Sequence, residues 1–285
     1  MRDFAADVTP LVLTRDEEPN VARTLAQLAW AREVIVVDSM SGDATVAIAQ
    51  TFPNVRVVQR PFDDLASQWN FALAQASTEW VLTLDADYFV PEAFVRELAT
   101  LEPPPNVSAY EATFKYAVGG RPLRASLYPP RAVVLRRDRS TNFMDGHTQR
   151  VRVDGDTLPL RTPLIHDDRK SMSRFIERQR RYMRDEAAKL RRGESLNFAS
   201  RIRKLRVVAP LAVVIHALFI KGLILDGRAG LRYAWERFVA ELILSRELMR
   251  RHSERSEESQ VAHPEILRSA QDDGTADKSD DASQL

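Results

Sequence analysis

The chain has 285 residues, 44% hydrophobic and 28% charged, with no cysteine and a formal net charge of +1. Lacking thiols, it excludes disulfide scaffolds and thiolate metal sites, and it suits one large α/β domain or one domain with appendages. The near-neutral total hides segregation: residues 167–206 carry 14 Lys/Arg against 6 Asp/Glu, and residues 253–285 carry 3 against 9. Asp3 and Asp7 interrupt any apolar leader, so the sequence predicts no secretory signal and an active part that faces the cytoplasm.

In chain order, residues 8–13 form a short apolar run that breaks at Thr14, and a polar turn with Pro19 follows. Val21, Leu25 and Leu28 recur at helical spacing. Residues 33–38 read as a buried strand ending in Asp38, 41–52 as a helix and 55–58 as a strand. Leu65, Trp69, Ala72 and Leu73 mark another helix face. Residues 80–84 give the next strand, ending at Asp85, and a helix from Pro91 to Leu101 precedes three prolines. This alternation predicts parallel βαβ units and an open, doubly wound sheet, in which ligands sit beyond the carboxyl ends of the strands. The clusters Thr14-Arg15-Asp16-Glu17, Asp38-Ser39 and Asp85-Ala86-Asp87 are therefore expected on one sheet edge. Shorter strands at 109–116, 132–135, 151–153 and 164–165 predict a mixed or antiparallel extension, and 172–190 a charged helix.

Asp85 and Asp87 stand two apart on the loop leaving an apolar strand. Such a pair suits a hard divalent cation, Mg²⁺ or Mn²⁺, that also grips substrate phosphates and steadies a departing diphosphate. Elsewhere the same pattern is a solvated turn; the preceding buried strand, with Asp38 closing another, favours the cation.

Four ordered motifs carry a resemblance. Thr14-Arg15-Asp16-Glu17-Glu18 follows the first strand. Val36-Val37-Asp38-Ser39-Met40-Ser41-Gly42-Asp43-Ala44-Thr45 comes next, then Gln68-Trp69-Asn70-Phe71-Ala72-Leu73, then Leu84-Asp85-Ala86-Asp87. Together they resemble the nucleotide-binding half of family 2 glycosyltransferases, which have a GT-A fold, above all lipopolysaccharide-core β-glucosyltransferases and related bacterial envelope enzymes. The resemblance implies an inverting transfer of sugar from a nucleotide-diphosphate donor. It further implies that Thr14, Glu17, Asp38, Asn70 and Asp85 bind the nucleotide-sugar and that Asp87, with Asp85, holds the metal. Asp16 for Asn, Met40-Ser41-Gly42 for Gly-Ser-Thr and Tyr88 for Glu depart from the pattern without removing a needed carboxylate.

An inverting transfer needs a base for the acceptor hydroxyl. Asp145 is the candidate, since similar enzymes have an acidic or His-containing segment there; Asp145-Gly146 also reads as a plain turn. His166 is read either as a further metal ligand, as GT-A enzymes often show late in the domain, or as a cap of the next helix. His147 is a weaker candidate for the site. Asp167 and Asp168 read as favourable charges at a helix N-terminus. Arg131, Arg136, Arg137, Arg150 and Arg169 are candidates for phosphate pairing.

Arg174, Arg178, Arg181 and Arg184 recur at three-to-four spacing and predict one positive helix face. No aromatic platform or reading motif accompanies them, so nucleic acid is not expected. A basic run at 201–206 leads instead into an apolar stretch at 207–225. Its length approaches a bilayer crossing, but Pro210, His216 and Lys221 favour an interfacial helix on an anionic membrane surface; the other reading is a buried packing helix. Lys221-Gly222 and Asp226-Gly227 with Gly230 resemble a signature that follows the catalytic domain in envelope glycosyltransferases, with one residue more in the first interval. Leu231, Trp235, Phe238, Leu242 and Met249 line one side of a final amphipathic helix.

The expected organisation is a catalytic domain at 1–200 (nucleotide half 1–101, acceptor half 106–200), membrane-docking helices at 201–251 and a disordered tail at 252–285. Back-translation of 265–273 on the complementary strand gives a peptide close to 252–259, the pattern of an inverted repeat read through in frame. The expected function is sugar transfer to a lipid-linked or cell-envelope glycan acceptor at the cytoplasmic face of the inner membrane. Two other readings are an inactive sugar-nucleotide or membrane-binding module and a sugar-phosphate nucleotidyltransferase; the latter lacks its Gly-rich N-terminal signature here.

Overall fold

The computed structural model describes residues 3–125, 129–145, 148–192 and 208–272. The first half alternates as the apolar runs predict: β1 (Val8–Thr14), α1 (Val21–Ala26), β2 (Val34–Asp38), α2 (Thr45–Ala49), β3 (Val55–Gln59), α3 (Leu65–Gln75), β4 (Trp80–Asp85), β5 (Tyr88–Phe89) and α4 (Glu92–Ala99). There follow β6 (Val107–Ala112), β7 (Phe114–Val118), β8 (Arg121–Pro122), β9 (Arg131–Arg136), β10 (Ser140–Asp145), β11 (Thr148–Val153), β12 (Asp156–Pro159) and β13 (Leu164–His166). Helices α5 (Met172–Arg192), α6 (Val208–Ile215) and α7 (Gly227–Asp272) complete the chain.

The central sheet has seven strands in the order β12-β6-β9-β4-β1-β2-β3. It is mixed and mostly parallel: β9 runs antiparallel to both β4 and β6. One face packs Val12, Val36, Leu82 and Leu84 against α1, α2 and α4, and the other packs Leu11, Ile35, Val37 and Val81 against Trp69, Ala72 and Leu73 of α3. Successive strand residues point to opposite faces, so a continuously apolar strand is what a sheet covered on both sides requires. Register aligns Thr14 with Asp38 and Leu13 with Asp85. The three polar strand ends thus share one edge, at the point where the chain turns left and right of β1.

The expected strand at 109–116 divides at Thr113. Its first part joins the central sheet, and its second joins a four-stranded sheet ordered β5-β13-β7-β8. The expected helix at 41–52 is confined to Thr45–Ala49. Ser41, Asp43 and Thr45 bond the backbone of residues 16–18 and of one another instead of continuing a helix.

The C-terminal helices are not a separate body. Met183, Ala187 and Leu190 of α5 pack with Leu244 and Leu248 of α7, and Leu223, Ala229, Tyr233 and Ala234 pack with Leu123, Tyr116 and Val118 of the smaller sheet. The glycine signature makes this junction. Gly222 adopts φ +69°, and a Cβ on Gly230 would lie 1.8 Å from the Leu223 carbonyl oxygen. Asp226 accepts from the Arg124 backbone N and from Arg124 Nε, each at 3.0 Å. Helix α7 is drawn to Asp272. Residues 273–285, His147 and the basic run at 201–206 lie outside the described residues.

Candidate active site

At the end of β4, Asp87 is buried and Asp85 partly exposed. Thr24 of α1 fixes the loop that carries them, donating from Oγ1 to the carbonyls of Ala86 (2.6 Å) and Tyr88 (3.0 Å). Strand β13 brings in the next element: its register sets His166 between Tyr88 and Tyr116, and Asp167 N donates to the Asp87 carbonyl at 3.0 Å. His166 Nε2 then lies 2.9 Å from Asp87 Oδ2, while Asp87 Oδ1 is buried without a hydrogen-bond partner. A buried carboxylate oxygen with no donor is costly unless something cationic meets it.

The electrostatics follow from this packing. Burial alone would raise the Asp87 carboxyl, but His166 beside it, with Arg178 and Lys170 beyond, holds it at about 2. Burial likewise opposes charge on His166, yet Asp87, Asp85 and Asp168 raise its pKa above the ordinary value. Asp85 is pushed up by burial first and by Asp87 second, against Arg131, Tyr88 and His166. Glu17 is pushed up to about 7 by burial and by Asp87, although Lys170 and Asn20 pull it down. An acid-rich pocket of this kind is where a divalent cation relieves like-charge repulsion.

Beside the Asp-x-Asp loop runs a second set of contacts that the sequence reading left out. Asn20, fully buried, donates to Glu17 (2.9 Å) and Asp168 (3.2 Å) and accepts from the Arg169 backbone (3.0 Å). Lys170 Nζ reaches Glu17 at 2.5 Å, and Arg178 reaches Asp168 at 2.7 Å. Asp167 is paired with Arg23 and Arg169. Asp167 and Asp168 are therefore hubs of an ion-pair network, not free charges at a helix start. The signal that could have found it is the run His166-Asp167-Asp168-Arg169-Lys170, too dense in charge for a plain connection.

Three arginines of α5 likewise meet carboxylates of other elements, although Arg174 and Arg184 stay exposed. Arg174 meets Asp43 (3.6 Å) and the Asp16 carbonyl (3.0 Å), Arg178 meets Asp168, and Arg184 approaches Glu247 of α7 (4.0 Å). These contacts set part of the helix's positive charge against the protein's own carboxylates.

Of the residues expected on the nucleotide, Thr14 and Asp38 are buried and bonded to each other (2.9 Å). Asp38 also accepts from the Ser41 N–H (2.9 Å) and from Gln59 (3.3 Å), so it organises the loop after β2 from beneath. Asn70 brackets β10: its Nδ2 donates to the Asn142 carbonyl (2.9 Å) and its Oδ1 accepts from the Asn142 N–H (2.8 Å).

That bracket sets the hairpin β10–β11 over a cleft of about 720 Å³, lined by Trp69, Asp85, Tyr88, Arg131, Gln149 and Arg150 among others. Asp145 lies outside the lining and pairs with Arg150 at 2.8 Å, both exposed. Arg136 and Arg137 are at the opposite end of the sheet, on Glu79 and the Thr78 carbonyl. Antiparallel β9 pairs Arg136 with Trp80 at the start of β4, which removes both from phosphate contact.

Among the described residues no group of three or more His, Asp or Glu side chains is arranged to hold a metal ion by itself. Asp87 and His166 are in contact at 2.9 Å, and Asp85 stands two residues before Asp87 at the end of β4; Mg²⁺ and Mn²⁺ commonly take the rest of their shell from phosphates and water.

The model of glycosyl transferase family 2 matches residues 11–163. The chain is similar to an uncharacterized glycosyltransferase of Rickettsia typhi, 36% identical over 28% of this chain and 27% of that one. It is also similar to the lipopolysaccharide core biosynthesis glycosyltransferase LpsC of Rhizobium meliloti, 29% identical over 46% of this chain and 48% of that one. It thus spans about half or less of these relatives' length. A solved structure, S. aureus TarS 1–349 in complex with UDP-GlcNAc, is 16% identical with a TM-score of 0.43, over 86% of this chain and 92% of that one.

Proposed function

The chain belongs to glycosyl transferase family 2, and from that premise we propose that it moves a sugar, with inversion, from a nucleotide diphosphate to a lipid-linked envelope glycan. One observation carries the reading: the buried, partnerless Oδ1 of Asp87, beside Asp85 and His166 at the sheet's switch point. Asp87, Asp85 and His166 would hold Mg²⁺ or Mn²⁺, which supplies positive charge against the diphosphate as it leaves. Glu17 and the loop supported by Asp38 border the nucleoside side of that edge. The cleft under β10–β11 receives the acceptor, with Trp69 and Tyr88 as apolar surface and Arg131 and Arg150 for anionic groups. Asp145 is the proposed base for the acceptor proton: it stands outside the lining of that cleft but is paired with Arg150, which lines it.

The acceptor's lipid character rests on the C-terminal helices. Leu211, Ile215, Phe219, Ile220, Leu225 and Trp235 are all more than half exposed, and Lys221, Arg228 and Arg232 are exposed among them. Apolar side chains interspersed with cations suit an anionic bilayer surface. Among the described residues no single helix is long and apolar enough to cross a membrane; Val208–Ile220 and Leu223–Met249 pass only as a pair bent by 74°. The proposed reading is docking through this exposed apolar and basic face, at the cytoplasmic face of the inner membrane.

The test is a panel of UDP-, GDP- and dTDP-sugars with Mn²⁺ or Mg²⁺ and anionic vesicles carrying envelope lipids. Release of nucleoside diphosphate and labelling of the lipid fraction support the proposal; no turnover of any donor contradicts it.

A further inference from the structure

His166 has more than Asp87 to hold it. Its ring meets Tyr88 edge-on at 5.5 Å between centroids and Tyr116 at 4.9 Å. Tyr116 in turn meets Tyr233 of α7 at 4.8 Å, again edge-on. Tyr233 is buried, and Arg237, one helical turn on, lies over its ring at 5.4 Å. A continuous file of rings thus runs from the C-terminal helix to the imidazole beside Asp87. Two residues further along α7, Trp235 points outward and is exposed. The helix that offers an apolar face to its surroundings is also a wall of the site.

We propose that Tyr233 is a positioning residue for the cation site: through Tyr116 it fixes the ring plane of His166, so that Nε2 is held toward Asp87. Strand pairing sets where the His166 backbone runs, but rotation about its side-chain bonds is limited only by what flanks the ring. Tyr88 comes from the Asp-x-Asp strand and confines one side. Tyr116 confines the other; its ring packs against the cluster that holds Leu123, Leu223, Ala234 and Tyr233, and Tyr233 is the ring that meets it edge-on. Partners behind a ligand that fix its ring orientation alter metal affinity about 10–100-fold when removed. The proposal rests on the reading of His166 as a cation ligand, and the experiment separates the two.

Mn²⁺ binding is measured by the loss of free aquo-Mn²⁺ signal in electron paramagnetic resonance, with the full chain and Mn²⁺ alone as probe. Tyr233→Leu keeps apolar bulk and Tyr233→Phe keeps the ring; thermal unfolding confirms that each variant is folded. Tyr233→Leu is expected to weaken Mn²⁺ about tenfold and Tyr233→Phe to bind as the wild type does. In a His166→Ala background, Tyr233→Leu should add nothing further, an outcome that general loosening would not give. If Tyr233→Leu binds Mn²⁺ like the wild type while His166→Ala is weakened, the positioning role is overturned and the ligand reading survives. If His166→Ala binds Mn²⁺ undiminished, the ligand reading fails and the inference with it.

Discussion

Asp87 Oδ2 and His166 Nε2 lie 2.9 Å apart although 79 residues separate them in the chain. The two atoms share a proton in the metal-free protein and would share a cation in the working one. That competition has a sign. His166 is raised above its ordinary value and Asp87 depressed to about 2, so a proton competes with the proposed cation. Mn²⁺ affinity should fall about tenfold per pH unit below the raised His166 value and level off above it. His166→Gln should flatten the profile, and a wild-type profile flat from about pH 5.5 to 8 would contradict the assignment. Metal-free stability runs the other way. The raised histidine contributes below its unfolded pKa, and that contribution is lost as pH rises through the folded value; Asp87 contributes above its unfolded pKa and loses this as pH falls toward about 2.

Glu97 of α4 accepts from the backbone N–H groups of Arg161 and Thr162, each at 2.8 Å, and so ties down the entry to β13. Burial works against its charge, but these bonds hold its carboxyl below the ordinary value. Glu97→Gln should cost about 1 kcal/mol at neutral pH, allowing for its exposure. The cost, read by denaturant unfolding, should shrink as pH falls through the depressed pKa, where the wild type loses the same charge. A cost that is constant with pH would contradict this.

Asn70 separates two roles. Its amide satisfies both backbone groups of Asn142, so Asn70→Ala should cost about 1–3 kcal/mol and let the hairpin drift. Transfer to acceptor should then fall while nucleotide affinity holds. If calorimetry shows nucleotide affinity falling instead, Asn70 is a donor contact, as its motif implies.

The apolar face makes a prediction about location. Phe219→Asp combined with Trp235→Glu removes two exposed side chains, each worth ~1.5–3 kcal/mol when fully buried. Co-sedimentation with anionic vesicles should drop at least about tenfold with the unfolding temperature unchanged. Undiminished sedimentation would count against docking through this face.

Much of this was legible in the chain itself. Continuous apolar runs ending in Thr14, Asp38 and Asp85 predict a parallel sheet with its acids on one edge, and the register shows that edge. Local patterning did not show the break at Thr113, because Ala109 to Tyr116 alternates like one strand whichever sheet receives it. Nor could it show that Arg174, Arg178 and Arg184 pair with carboxylates of distant elements. Helical spacing groups side chains on a face, but only tertiary packing says what that face meets. Asn20 and Lys170 were missed for the same reason, since their partners come from the far end of the domain.

The central claim is that Asp87 holds a cation that grips a nucleoside diphosphate. Calorimetric titration of UDP, GDP and dTDP into wild type and Asp87→Asn, with and without Mn²⁺, tests it most directly. The account predicts that at least one nucleotide binds the wild type only with Mn²⁺ and that Asp87→Asn weakens it by about 100-fold or more. Binding that needs no cation and is unchanged in Asp87→Asn would contradict it.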